Sequence, residues 1–170
     1  MATTEILLLS SILVFTVYNA WITLRFGQQR SISDSWYRLT LKDNILFIAS
    51  TWGYVIPLFF IVLLQPNVSD LVKIIFFFGT FLLVTVPVFP DFHLPSVKPW
   101  HSLGAEGGIA LAMVCGVLLG MWWVPVPFII FTWLMMKNAI RNHTYWIEIV
   151  AYYAVAFMLW FKFIYLPSLF

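Results

Sequence analysis

The chain has 170 residues, of which 62% are hydrophobic, 19% aromatic and only 9% charged, with a mean hydropathy of +0.95. Soluble domains carry about 25% charged residues, so too little polar surface is present for an ordinary soluble enzyme, a disordered chain or a nucleic-acid binder. The net charge of +2 points to no anionic partner, and the single Cys115 excludes an intrachain disulfide or a cysteine metal cluster. What remains is an all-α integral membrane protein, a polytopic helix bundle of about six spans forming one transmembrane domain over residues 1–170.

A helix of about 20 apolar residues crosses the bilayer core, and the first such stretch is 5–24. It lacks a basic leader and ends Leu24-Arg25-Phe26 with no small-residue cleavage pattern, so it reads as a retained anchor. The connection 25–43 is polar and basic. Within it, Arg30-Ser31-Ile32-Ser33-Asp34-Ser35-Trp36-Tyr37-Arg38 reads as a capped connector or a short amphipathic helix lying on the membrane surface. The second span is 44–64. It contains Gly53-x-x-x-Pro57, where the proline deletes a ladder hydrogen bond and pushes on the Gly53 carbonyl, so this point is a hinge or a static kink. Ser50 and Thr51 sit close enough to satisfy the freed groups.

A polar turn, 65–70, leads into the third span, 71–89. A Pro- and His-containing loop, 90–102, precedes the fourth span, 103–122, which the Trp123-Val124-Pro125-Val126-Pro127 stretch interrupts. The fifth span, 127–137, is short, and the sixth is 145–166. Seven cations (Arg25, Arg30, Arg38, Lys42, Lys98, Lys137, Arg141) fall in the connections after odd-numbered spans, against Lys73 and Lys162 on the other side. The excess places those connections in the cytoplasm and both termini outside it. Trp21, Trp36, Trp100, Trp122, Trp123, Tyr145 and Trp146 lie near span ends, as rings with a polar edge favour the headgroup layer.

In the fourth span Gly104, Gly108, Ala112, Gly116 and Gly120 recur every fourth residue and share one helix face. Small residues let backbones approach closely inside lipid, so this stripe is a seam for a second copy or a partner subunit, or for another helix of the same chain. Around the start of that span Asp91, His93, His101 and Glu106 gather metal-ligand and acid–base residue types. The spacing of His93 and His101 fits no helical zinc motif. Glu106 is placed one turn inside the helix, where a carboxylate meets the positive end of the dipole. Glu148 has a similar place in the sixth span, or pairs with Arg141 or an arginine of the first connection. Of the two Asn-x-Ser/Thr tripeptides, at Asn67 and Asn142, only Asn67 is placed outside, and it lies too near the bilayer to be a good glycan acceptor.

Through Ser31-Ile32-Ser33-Asp34-Ser35-Trp36-Tyr37, and through Phe89-Pro90 followed by His101 and Ala105, the chain resembles uncharacterised small multispanning membrane proteins of bacteria and their phages. That resemblance implies a six-helix bundle, a bacterial inner-membrane location and no known activity. Membrane hydrolases of the progestin-receptor-like and alkaline-ceramidase type carry a His-x-x-x-His pair on their last helix, whereas residues 145–166 here contain no histidine. Three functions are therefore expected to compete. The first is a non-enzymatic bundle acting through helix association as a homo-oligomer or complex subunit. The second is a lipid-headgroup enzyme using Asp91, His93, His101 and Glu106, with His93 and His101 as metal candidates. The third is a transporter of a small neutral solute, since the span middles lack charge.

Overall fold

The structure is a computed structural model that describes residues 2–90, 93–138 and 140–168. Among these residues there is no strand; the chain is an all-α bundle. Five helices are long and apolar enough to cross a membrane: α1 (Ala2–Phe26), α2 (Asn44–Leu63), α3 (Asp70–Thr85), α4 (Lys98–Leu118) and α6 (His143–Tyr165). Between the last two lies the shorter α5 (Pro125–Lys137). Every backbone group inside lipid must be satisfied internally, which helices do within one segment, so the chain is an integral membrane protein. Leu9, Phe81 and Ile130, all more than half exposed, belong to its lipid-facing surface.

Local chemistry sets the helix ends. α1 stops at Gly27, whose φ of +74° only a residue without Cβ adopts freely, and its N–H caps Thr23 O at 2.9 Å. The Ser69 side chain caps the start of α3 by accepting from Val72 N. Beyond Thr85 the chain tightens into a 3-10 turn, Val86–Val88, around Pro87.

α4 begins earlier than the sequence suggests. Pro99 in its first turn has no N–H to lose, so residues Lys98–Ser102 are helical rather than loop. The helix widens to a π turn at Leu103–Gly107 and continues from Gly108 to Leu118. It ends four residues before the expected Trp122. Gly120 takes φ +80°, while its N–H bonds Val117 O at 2.9 Å and Met121 N bonds Gly116 O at 2.8 Å. That pair of bonds is a Schellman cap, so Gly120 is the terminator of α4 and not a member of the packing stripe.

The remaining stripe is taken up inside the chain. A Cβ on Gly108 would stand 2.5 Å from Leu83 Cγ and 2.9 Å from Gly79 O, and one on Gly104 would stand 2.9 Å from Leu82 O. Ala112 is buried, and Gly116 lies directly beneath Met158 Sδ of α6. The seam expected for a partner is thus the contact of α4 with α3 and α6. Gly53 works similarly: its missing side chain admits Val14 of α1, 3.0 Å from where a Cβ would be. α2 runs unbroken through Pro57, and the hydroxyls of Ser50 and Thr51 both donate to Phe47 O rather than to Gly53 O.

Phe15, Phe47, Tyr54, Leu58, Phe76, Cys115, Met158 and Leu159 form the buried centre. α1 and α6 run antiparallel, with Thr16 bonded to Tyr153 and Thr23 to Tyr145. The N-terminal end of α1 and the C-terminal end of α6 therefore emerge together, opposite the connections that follow α1, α3 and α5.

Candidate functional site

The connections after α1, α3 and α5 gather at one end of the bundle. There Ser31, Ile32, Ser33, Asp34 and Ser35 are all buried. Of the two expectations, capped connector or surface helix, the surface helix does not form: the segment makes a 3-10 turn, Ser33–Arg38, whose first half is plugged between the helix ends. A buried polar group must find partners, and these do. The Ser31 hydroxyl accepts from Asp34 N at 3.1 Å. Ser35 Oγ donates to Ile32 O at 2.6 Å, so the Tyr18 hydroxyl, also 2.6 Å away, donates to Ser35. Tyr145 N donates to Arg30 O at 3.0 Å, tying the plug to α6.

His101 ties the same plug to α4. Its Nδ1 lies 2.9 Å from Phe89 O and its Nε2 3.0 Å from Ser33 Oγ. A carbonyl only accepts, so in the neutral ring the proton sits on Nδ1 and Nε2 accepts from the serine hydroxyl. A serine donating to an oriented imidazole is also the arrangement of a nucleophile and its base. Here, however, Ser33 is 6% exposed and faces a void of about 20 Å³ shared with Ser50, Thr51, Glu148 and Tyr152. That is space for a water, not for a substrate carbonyl. The pair is a structural tie.

The expected cluster divides. Asp91 lies outside the described residues. His93 stacks on Tyr37 with ring centroids 4.2 Å apart, its N–H donates to the Tyr37 hydroxyl at 3.1 Å, and its Nε2 lies 3.8 Å from Asp34 Oδ1. His101 belongs to Ser33 and Phe89 instead. Among the described residues no three His, Cys, Asp or Glu side chains come together as a metal-holding group. Glu106 sits in the π turn, two turns into α4 rather than one, so it has left the first turn where the dipole acts. It makes no hydrogen bond or ion pair among the described residues. Glu148 meets no arginine; its Oε2 accepts from the backbone N–H of Ile32 at 2.5 Å.

Glu106 and Glu148 come together across a chamber of about 490 Å³, walled also by Ser31, His101, Thr132 and His143. A second space of about 480 Å³ lies between α4 and α5, lined by Met113, Val117, Pro125, Phe128 and Ile129. The two share the wall residues Glu106, Ile109, Thr132 and Ile147, so they adjoin. Thr132 Oγ1, at that junction, is shielded from solvent and lacks a hydrogen-bond partner among the described residues. The arrangement is a chamber of mixed lining, with two carboxyl groups and two histidines among apolar side chains, beside a corridor whose lining is almost wholly apolar.

Ser33, Thr132 and His143 escaped the sequence reading. Ser33 and His101 are 68 residues apart, and no local pattern signals their meeting. A signal did exist for the corridor: Glu106, Ala110, Met113 and Val117 follow helical spacing on the face of α4 that the glycines do not use. The comparisons with known proteins return no match to the chain, whether a family model, a curated protein or a solved structure.

Proposed function

We propose that the protein binds a single amphiphile, a lipid or lipid-like molecule, with its head beside Glu106 and Glu148 in the chamber and its chain in the α4–α5 corridor. The observation that carries this reading is that the two spaces adjoin at Glu106 and Thr132. Each has the volume of a small-molecule site, and the chamber adds Ser31, His101, His143 and Glu148 to the apolar lining that both spaces have. Glu106, an exposed residue, gives the border of the two spaces an acid group. Of the enzyme alternative, this reading keeps the headgroup and the residues His101 and Glu106. The association alternative, as a homo-oligomer or complex subunit, must use the lipid-exposed faces, because α3 and α6 cover the small-residue stripe.

The seven cations at the chamber end against two at the other favour a cytoplasmic chamber, with both termini outside. The resemblance to bacterial and phage proteins favours a bacterial inner membrane. The experiment is a binding measurement on the purified full chain in nanodiscs. Dodecyl amphiphiles should bind saturably, and Val114→Trp, which fills the corridor, should weaken them. Equal binding by Val114→Trp and the parent chain would remove the proposal.

A further inference from the structure

We infer that the chamber selects an amphiphile whose head is a protonated amine. The inference rests on the amphiphile reading and adds its chemistry. Two carboxyl groups, Glu106 and Glu148, stand in the chamber wall, and no lysine or arginine is among the described lining residues. Two of the cations at this end of the bundle are engaged on the rim. The Arg25 guanidinium lies 3.8 Å from Asp43 and over the rings of Trp21 and Phe26, and Lys137 lies over Trp133 at 4.7 Å.

The histidines offer an anion little. Both ring nitrogens of His101 are engaged, with Phe89 O and Ser33 Oγ, and His143 Nδ1 points to Ile140 O. The acceptors, by contrast, are unspent. Only Oε2 of Glu148 is hydrogen-bonded within the described chain, and Glu106 has no partner there. Glu106 is exposed and Glu148 half-buried, and both border the chamber, so a donor-rich head placed there meets two acid groups at once. An ammonium supplies three N–H donors and a positive charge, while a carboxylate or phosphate head would be repelled and a hydroxyl would bring no charge.

The test uses three probes of one chain length, dodecylammonium, dodecanol and dodecanoate, with the full-length protein in nanodiscs of zwitterionic lipid at pH 7. The amine should bind about tenfold or more tighter than the alcohol, as charge-assisted bonds exceed neutral ones, and the carboxylate should bind weakest. E106Q should bring the ratio of amine to alcohol affinity toward one. E148Q should do the same while keeping an acceptor for Ile32 N. If the alcohol or carboxylate binds as well as the amine, the inference falls and the amphiphile reading stands. If the amine preference survives in the E106Q/E148Q double variant, the amine binds elsewhere and the inference falls. If none of the three binds, the amphiphile reading itself falls.

Discussion

The two faces of α4 solve opposite problems. Toward α3, Gly104 and Gly108 bring backbones so close that a single methyl group would strike Leu82 O, Gly79 O or Leu83. Toward α5, the same helix presents Glu106, Ala110, Met113 and Val117 to an open corridor. Inside lipid there is little hydrophobic drive to close a gap between helices, so dispersion through close contact supplies the adhesion. The glycine face therefore holds the bundle together, and the other face is free to stay unfilled. Cohesion and recognition are separated across one helix's width.

Substitutions on the two faces should break this contrast unequally. The largest loss is expected for Gly108→Leu, because the obstacles include the backbone oxygen of Gly79, which cannot rotate away. Thermal unfolding in detergent should show the upper end of the usual overpacking cost, about 3 kcal/mol, or a failure to fold. A melting curve like that of the parent would mean that α3 and α4 are not in contact. Next comes His101→Ala, which strands the buried Ser33 hydroxyl and the Phe89 carbonyl. The loss is expected at roughly 1–3 kcal/mol, set by the buried Ser33 hydroxyl because Phe89 is only half-buried, and proteolysis after Arg30 or Arg38 should accelerate as the plug loosens.

Gly116→Leu should cost about 1–2 kcal/mol, less than Gly108→Leu, because its obstacle is the pliable thioether of Met158. The elution position should stay unchanged, since the contact is internal. A shift in oligomeric state without loss of stability would restore the partner seam. Phe77→Leu, on the exposed surface of α3, should do less. The smallest effect on stability belongs to Ala110→Leu on the corridor face, within about 0.5 kcal/mol. That variant should nevertheless weaken dodecyl-chain binding, and intact binding would show that the chain does not use the corridor.

Much of the architecture is legible in the residues. Long apolar runs and cation placement identify the helices and their order, and four-residue spacing marks the face where α4 packs. What escapes is whatever depends on distant segments meeting. Ser31–Ser35 has the composition of a solvated connector, and its burial follows only because Tyr18, His101 and Glu148 supply partners from three helices. Gly120 fits the stripe by spacing but serves the helix end by conformation, a distinction that needs φ. His101 shifts from loop to helix because a proline near a helix start is easily taken for a loop residue. Glu106 moves inward with it, from the dipole's reach to the chamber wall.

α5 carries a consequence for the surrounding bilayer. Its 13 residues rise roughly 20 Å at 1.5 Å per residue, against a hydrocarbon thickness of about 30 Å. Each ångström of such mismatch costs a fraction of a kcal/mol, met by thinning the bilayer or by anchoring residues that reach for the interface. Trp122 and Trp123 before α5, and Lys137 at its end, are residues of that anchoring kind. A bilayer that meets both ends of α5 is drawn thin beside it, and α5 is also a wall of the corridor. Membrane thickness thereby becomes a variable of the protein: reconstituted in short-chain lipids, it should melt at a higher temperature than in long-chain lipids of the same headgroup.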